Sequence, residues 1–62
     1  MYRVFIDYKG RSLATPDLAT EERAYEEAQA LMKELRLEHA EYQDLDTDKW
    51  TYVGEDGNRY VM

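Results

Sequence analysis

The segment WTYVGEDGNRYVM, residues 50–62, sets two runs of aromatic and β-branched residues on either side of Asp56-Gly57. Such runs favour strands. Asp-Gly is a preferred centre for a two-residue hairpin turn, because glycine takes the positive φ that this turn demands. The segment therefore predicts a hairpin of Trp50 to Glu55 with Asn58 to Met62. A two-residue turn sets Tyr52 opposite Val61 and Val53 opposite Tyr60. One face then carries Trp50, Tyr52, Arg59 and Val61, and the other Thr51, Val53, Tyr60 and Met62. Neither is the polar face expected of a sheet open to water.

A second hairpin stands at the other end of the chain. Tyr2 to Tyr8 alternates Tyr2, Val4, Ile6 and Tyr8 with Arg3, Phe5 and Asp7. Lys9-Gly10 supplies a two-residue turn, and that register pairs Ile6 with Leu13 on one face. Pro16 lacks an N–H and ends the returning strand early. Between the hairpins, Ala24, Ala28, Leu31, Met32 and Leu35 form one helical stripe, with Tyr25 at its margin. Thr20 is the expected N-cap, and Glu21 and Glu22 sit where the helix dipole favours negative charge. Alanines 24, 28 and 30 would allow close approach to a sheet. Leu37 to Leu45 reads as either more helix or a strand; a helix ending near Leu37 and a strand over Ala40 to Leu45 is the better fit. The expected fold is α+β: hairpin, helix, hairpin, with an antiparallel sheet of four to five strands and one helix on one face.

The 62 residues make a single domain near the lower limit for unaided folding, where a chain buries only ~60% of its unfolded surface. Cysteine is absent, so neither a disulfide nor a thiolate-held metal can stabilise it. No apolar stretch approaches the ~20 residues of a membrane span, and no signal segment opens the chain; a cytoplasmic location is expected. The net charge of −6 is uneven, with a balance of +2 over residues 1–13 and −8 over residues 14–62. Such a field repels phosphate backbones and anionic membranes and attracts basic surfaces. Neither direct nucleic-acid binding nor membrane binding is expected.

A lone helix can cover one face of the sheet. If it covers Val4, Ile6, Leu13, Trp50, Tyr52 and Val61, then Phe5, Val53, Tyr60 and Met62 are left outside; the opposite choice leaves Trp50, Tyr52 and Val61 outside, which is worse. A patch of that size usually has a use. Six tyrosines against one phenylalanine fit the same reading, since tyrosine is enriched where surfaces meet. The expected partner-binding residues are Phe5, Tyr8, Tyr42, Val53 and Tyr60 as anchors, with Asp44, Asp46 and Asp48 for steering.

Catalysis has little to draw on. His39 is the only histidine and sits among carboxylates, no nucleophile arrangement is present, and glycines 10, 54 and 57 form no phosphate loop. An enzyme is not expected, nor a cofactor. Asp44, Asp46, Asp48 and Glu55 occupy positions one, three, five and twelve of an EF-hand window, but Lys49 stands where glycine makes the sharp turn. Calcium binding is therefore only an alternative reading.

The layout of Lys9-Gly10, the Thr20 to Leu35 helix and Asp56-Gly57 in a tiny, acidic, cysteine-free chain resembles small phage-encoded inhibitors of host machinery, anti-CRISPR proteins among them. The resemblance implies action in the host cytoplasm by blocking a larger protein's surface, and transfers no functional residue. The expected function is a non-catalytic interaction module that occludes a basic, nucleic-acid-binding site on a larger protein. The alternative is a homodimerisation module joined through the uncovered face or an open strand edge.

Overall fold

Lys9 and Gly10 both take positive φ, 52° and 76°, which is the geometry of the two-residue hairpin turn. In the computed structural model, which describes all 62 residues, this turn joins β1 (Tyr2–Tyr8) to β2 (Arg11–Ala14), with Ile6 opposite Leu13 as expected. Helix α1 (Glu21–Leu35) follows, then β3 (His39–Asp44), β4 (Trp50–Gly54) and β5 (Arg59–Val61). The five strands form one antiparallel sheet in the order β2-β1-β3-β4-β5. The fold is α+β, a five-stranded sheet with one helix packed across it. No helix is long and apolar enough to cross a membrane.

Beyond β2, Pro16 interrupts the ladder without ending the pairing. Phe5 lies opposite Ala14 and Tyr2 opposite Leu18, so the returning segment holds one residue more than β1 over that interval. The hydroxyl of Thr15 accepts from Val4 N–H at 3.1 Å, and Leu18 exchanges both backbone bonds with Tyr2. This is the two-against-one arrangement of a bulge.

The helix begins where the sequence places it. Thr20 is extended, at φ −131°, and its hydroxyl accepts from Arg23 N–H at 3.1 Å. It ends at Leu35, two residues short of the expected Leu37, with Arg36 in the left-handed region at φ 56° and Leu37 N–H donating to Met32 O at 2.9 Å. That bond spans the six residues of a Schellman cap, a position that ordinarily selects glycine. Arg36→Gly is expected to stabilise the domain by roughly 0.5–1 kcal/mol, since the left-handed conformation costs L-residues about 1–2 kcal/mol and glycine's greater unfolded-state entropy returns part of it. A higher urea midpoint at unchanged slope is the result to look for.

The core lies between α1 and the β1–β3–β4 surface, and joins Val4, Ile6, Ala24, Ala28, Met32, Ala40, Tyr42 and Val53. The helix runs over β1 and β3, touches β4 lightly, and leaves the edge strands β2 and β5 uncovered. Leu13 and Val61 therefore remain 42% and 76% exposed although both project on the helix side. Ala24 and Ala28 meet the sheet as expected, whereas Ala30 faces outward.

The last hairpin differs from expectation, and the difference reassigns a whole face. Its loop is three residues, Glu55 to Gly57, not two. Gly57 N–H donates to Gly54 O and Gly54 N–H to Asn58 O, both at 2.9 Å, and Gly57 sits at φ 85°. This is a type I turn closed by a left-handed glycine, the usual three-residue hairpin. The side chain of Asp56 secures it by accepting from Asn58 N–H at 3.0 Å and Asn58 Nδ2 at 2.8 Å. Tyr52 thus faces Tyr60, and Thr51 faces Val61. A one-residue slip moves every side chain of a strand to the opposite face.

Candidate functional site: the uncovered sheet face

Relative to the core register, the outer face of the sheet carries Arg3, Phe5 and Asp7 from β1, His39, Glu41 and Gln43 from β3, Trp50 and Tyr52 from β4, and Tyr60 with Met62 at the β5 edge. No element covers this face. The rings organise it. Phe5 and Trp50 reach across β3 to a centroid distance of 4.9 Å, tilted by 46°. His39 stacks on Tyr52 at 5.2 Å with planes 8° apart, and Tyr52 meets Tyr60 at 6.0 Å. Together they make a semi-continuous aromatic row from β1 to β5. Edge-to-face and offset contacts of this kind stabilise each ring pair by about 0.5–1.5 kcal/mol beyond burial.

Phe5, Trp50, Tyr52 and His39 are half-buried by these mutual contacts, while Tyr60 is 50% exposed and Met62 more so. A shallow groove of about 420 Å³ lies alongside the Phe5–Trp50 pair, lined also by Glu41, Asp7, Ser12 and Met62. Glu41 stands directly between Phe5 and Tyr52 in the cross-strand register.

The expected anchors divide. Phe5 and Tyr60 lie on the outer face as expected. Val53 does not: it is fully buried beneath the helix, because the pairing with β3 sets it opposite the buried Ala40, and the three-residue loop then brings Arg59, not Tyr60, opposite it. Tyr42 is also a correction, only 1% exposed. Its ring packs in the core edge-on to Tyr2, and its hydroxyl donates to Glu21 Oε2 at 2.6 Å. Tyr8 is half-buried on the opposite face from Phe5, with Lys9 Nζ 5.3 Å from its ring centre. The expectation that Trp50 and Tyr52 lie under the helix is likewise overturned; both belong to the outer row.

Arg59, which the slipped register brings to the helix side, ties β5 down. Its guanidinium lies 4.3 Å from the Tyr25 ring centre and 4.0 Å from the Glu21 carboxylate. The Tyr25 hydroxyl donates to Gly57 O. Burial, reinforced by the bond to Glu21, pushes the Tyr42 phenol above its ordinary range.

Asp44 ends β3, Asp46 and Asp48 lie in the β3–β4 connection, and the three serve different neighbours. The Asp44 carboxylate accepts from Asp46 N–H at 2.9 Å, and this bond holds its pKa below the usual carboxylate value. Asp46 pairs with the N-terminal ammonium at 3.0 Å. Asp48, itself at φ 62°, accepts a long 3.4 Å contact from Gln43. The window differs from an EF-hand in its surroundings. β3 leads into it and β4 lies within it, where an EF-hand has flanking helices, and no three of the His, Asp and Glu side chains are gathered together.

Trp50, Tyr52, His39 and Glu41 are the residues of this face that sequence reasoning missed. For Trp50 and Tyr52 a partial signal lay in Gly54-Glu55-Asp56-Gly57-Asn58, which suits a three-residue loop ending in a left-handed glycine as well as a two-residue turn and so groups Tyr52 with Tyr60; for His39 and Glu41 there was none. A scan against protein-family models finds no match to the chain, and searches of curated proteins and of solved structures find none either.

Proposed function

We propose that this protein is a non-catalytic interaction module that docks on a larger, basic protein through the uncovered face of its sheet. The observation that carries the reading is the row of Phe5, Trp50, Tyr52 and Tyr60, which no helix covers. Trp and Tyr are enriched among the few residues that dominate binding energy when a partner desolvates them, and truncating such a residue costs about 2 kcal/mol or more. The net charge of −6 selects the partner's sign and speeds encounter with it. Occlusion of a basic, nucleic-acid-binding surface is the form of action that fits both features, and it agrees with the resemblance to small phage-encoded inhibitors.

His39 offers no support for catalysis. It stacks flat on Tyr52, and no nucleophilic side chain is bonded to it. The second reading, a homodimer, rests on the same face and on the open edges of β2 and β5. Electrostatics opposes it, because two copies bring like charge together.

The test is site-specific photocrosslinking. A benzophenone amino acid at Tyr60, on the outer row, is compared with one at Glu26, exposed on the helix, in host lysate at low and high salt. Docking through the sheet predicts a discrete crosslinked protein at Tyr60, lost at high salt, and none at Glu26. Equal labelling at the two positions, or a crosslink only between copies of this chain, would overturn it. Sedimentation at micromolar concentration is expected to show a monomer.

A further inference from the structure

We infer that the groove alongside the touching Phe5 and Trp50 rings receives an arginine side chain of the partner, with the Glu41 carboxylate as its counter-charge; the inference deepens the docking reading and rests on it. Glu41 is the centre of the site. It is half-buried between Phe5 on one neighbouring strand and Tyr52 on the other, in the middle of an aromatic surface. The chain forms three ion pairs, and Glu41 belongs to none of them. The one permanent cation on the same face, Arg3, is committed to Asp17 through both Nε and Nη2, and His39, two residues from Glu41, stacks on Tyr52. Asp7, the other carboxylate of the groove, receives only a 3.5 Å contact from Ser12. The outer face therefore holds aromatic walls and two carboxylates with no cation of their own.

A carboxylate set among rings is costly to desolvate further unless its partner brings positive charge. An apolar or acidic side chain docking here would leave Glu41 buried and unpaired. A guanidinium satisfies every part of the site. Its plane stacks on aromatic faces, its paired N–H groups match a carboxylate, and it is more weakly hydrated than an ammonium. The groove, about 420 Å³ and open to solvent, has room for one guanidinium and its stem at the protein surface. Charge complementarity thus names the occupant: an arginine-bearing segment of a basic protein, not a second copy of this acidic chain.

The probe is a capped pentapeptide, acetyl-Gly-Arg-Gly-Arg-Gly-amide, with lysine and citrulline versions of the same length. Binding is followed by Trp50 fluorescence and by amide and indole shifts in two-dimensional NMR. The arginine peptide is expected to shift Phe5, Glu41, Tyr52 and the Trp50 indole. Lysine should bind several-fold more weakly, and citrulline, which keeps the shape and loses the charge, should not bind measurably. Glu41→Gln, checked for unchanged circular dichroism, should lower arginine-peptide affinity about tenfold; Asp7→Asn should lower it less. Unchanged affinity in the Glu41→Gln protein, or shifts centred on Asp44 to Asp48, would overturn the inference. Tyr60 crosslinking separates the two claims. A partner captured equally well by the Glu41→Gln protein retains the docking face and rejects the arginine site, while no capture by the unaltered chain rejects both.

Discussion

Replacing Tyr42 by alanine is expected to remove a large share of the domain's stability. The ring is enclosed on the central strand, against Tyr2 and opposite Val4 and Thr51, and removing such a side chain costs about 3–5 kcal/mol. A domain of this length has roughly 3–9 kcal/mol in total. Tyr42→Phe keeps the ring and removes only the bond to Glu21, a partly exposed carboxylate, so its cost should be about 1 kcal/mol. The pH dependence follows the same atoms. The folded state holds the phenolic proton more tightly than the unfolded chain, so Tyr42's contribution is complete below about pH 10 and declines as pH rises above it. Tyr42→Phe should therefore blunt the alkaline loss of stability. Urea titrations at neutral pH and above pH 10, read by circular dichroism, check both statements. A wild-type midpoint for Tyr42→Ala would contradict its place in the core.

Ala28→Leu should come close in effect. Ala24 and Ala28 are both fully buried where the helix crosses the sheet, and nothing larger than a methyl fits there without lifting the helix. Overpacking of this kind costs about 1–3 kcal/mol, occasionally more. Ala30→Leu, on the exposed side of the same helix, should change stability by no more than about 0.5 kcal/mol. Comparing the two by thermal unfolding isolates the packing effect from helix propensity, since both substitutions are alanine to leucine. Equal melting temperatures would show that the helix does not rest on the sheet through Ala28.

These residues also mark how far the chain could be read before its structure. The helix from Thr20 was legible because its signals are local: a hydroxyl cap, two early acids and a stripe at helical spacing all lie within sixteen residues. The first hairpin was legible for the same reason, since Lys9-Gly10 admits the turn it forms and Pro16 marks the strand's limit. β3 was ambiguous because His39 to Asp44 alternates weakly, and only its place between β1 and β4 gives Ala40 and Tyr42 an inner face.

The candidate site was half legible. Phe5 and Tyr60 were assigned to the uncovered face, but Val53 and Tyr42 exchanged places with Trp50 and Tyr52. Glu41 carried no signal of its own among so many acids. Its significance comes from Phe5 and Tyr52, its neighbours on the flanking strands, and from the absence of an ion pair.

Composition and periodicity alone determined the α+β class, the element order and the surplus of large side chains over what one helix can cover. Tertiary structure decided which of those side chains lie outside. The reason is that strand faces alternate with a period of two, so a single residue in the Glu55 to Gly57 loop reverses β5 relative to β4. Local propensity barely distinguishes the two loop lengths; the packing of Val53 and Thr51 beneath α1, and of Arg59 against Tyr25, selects one of them.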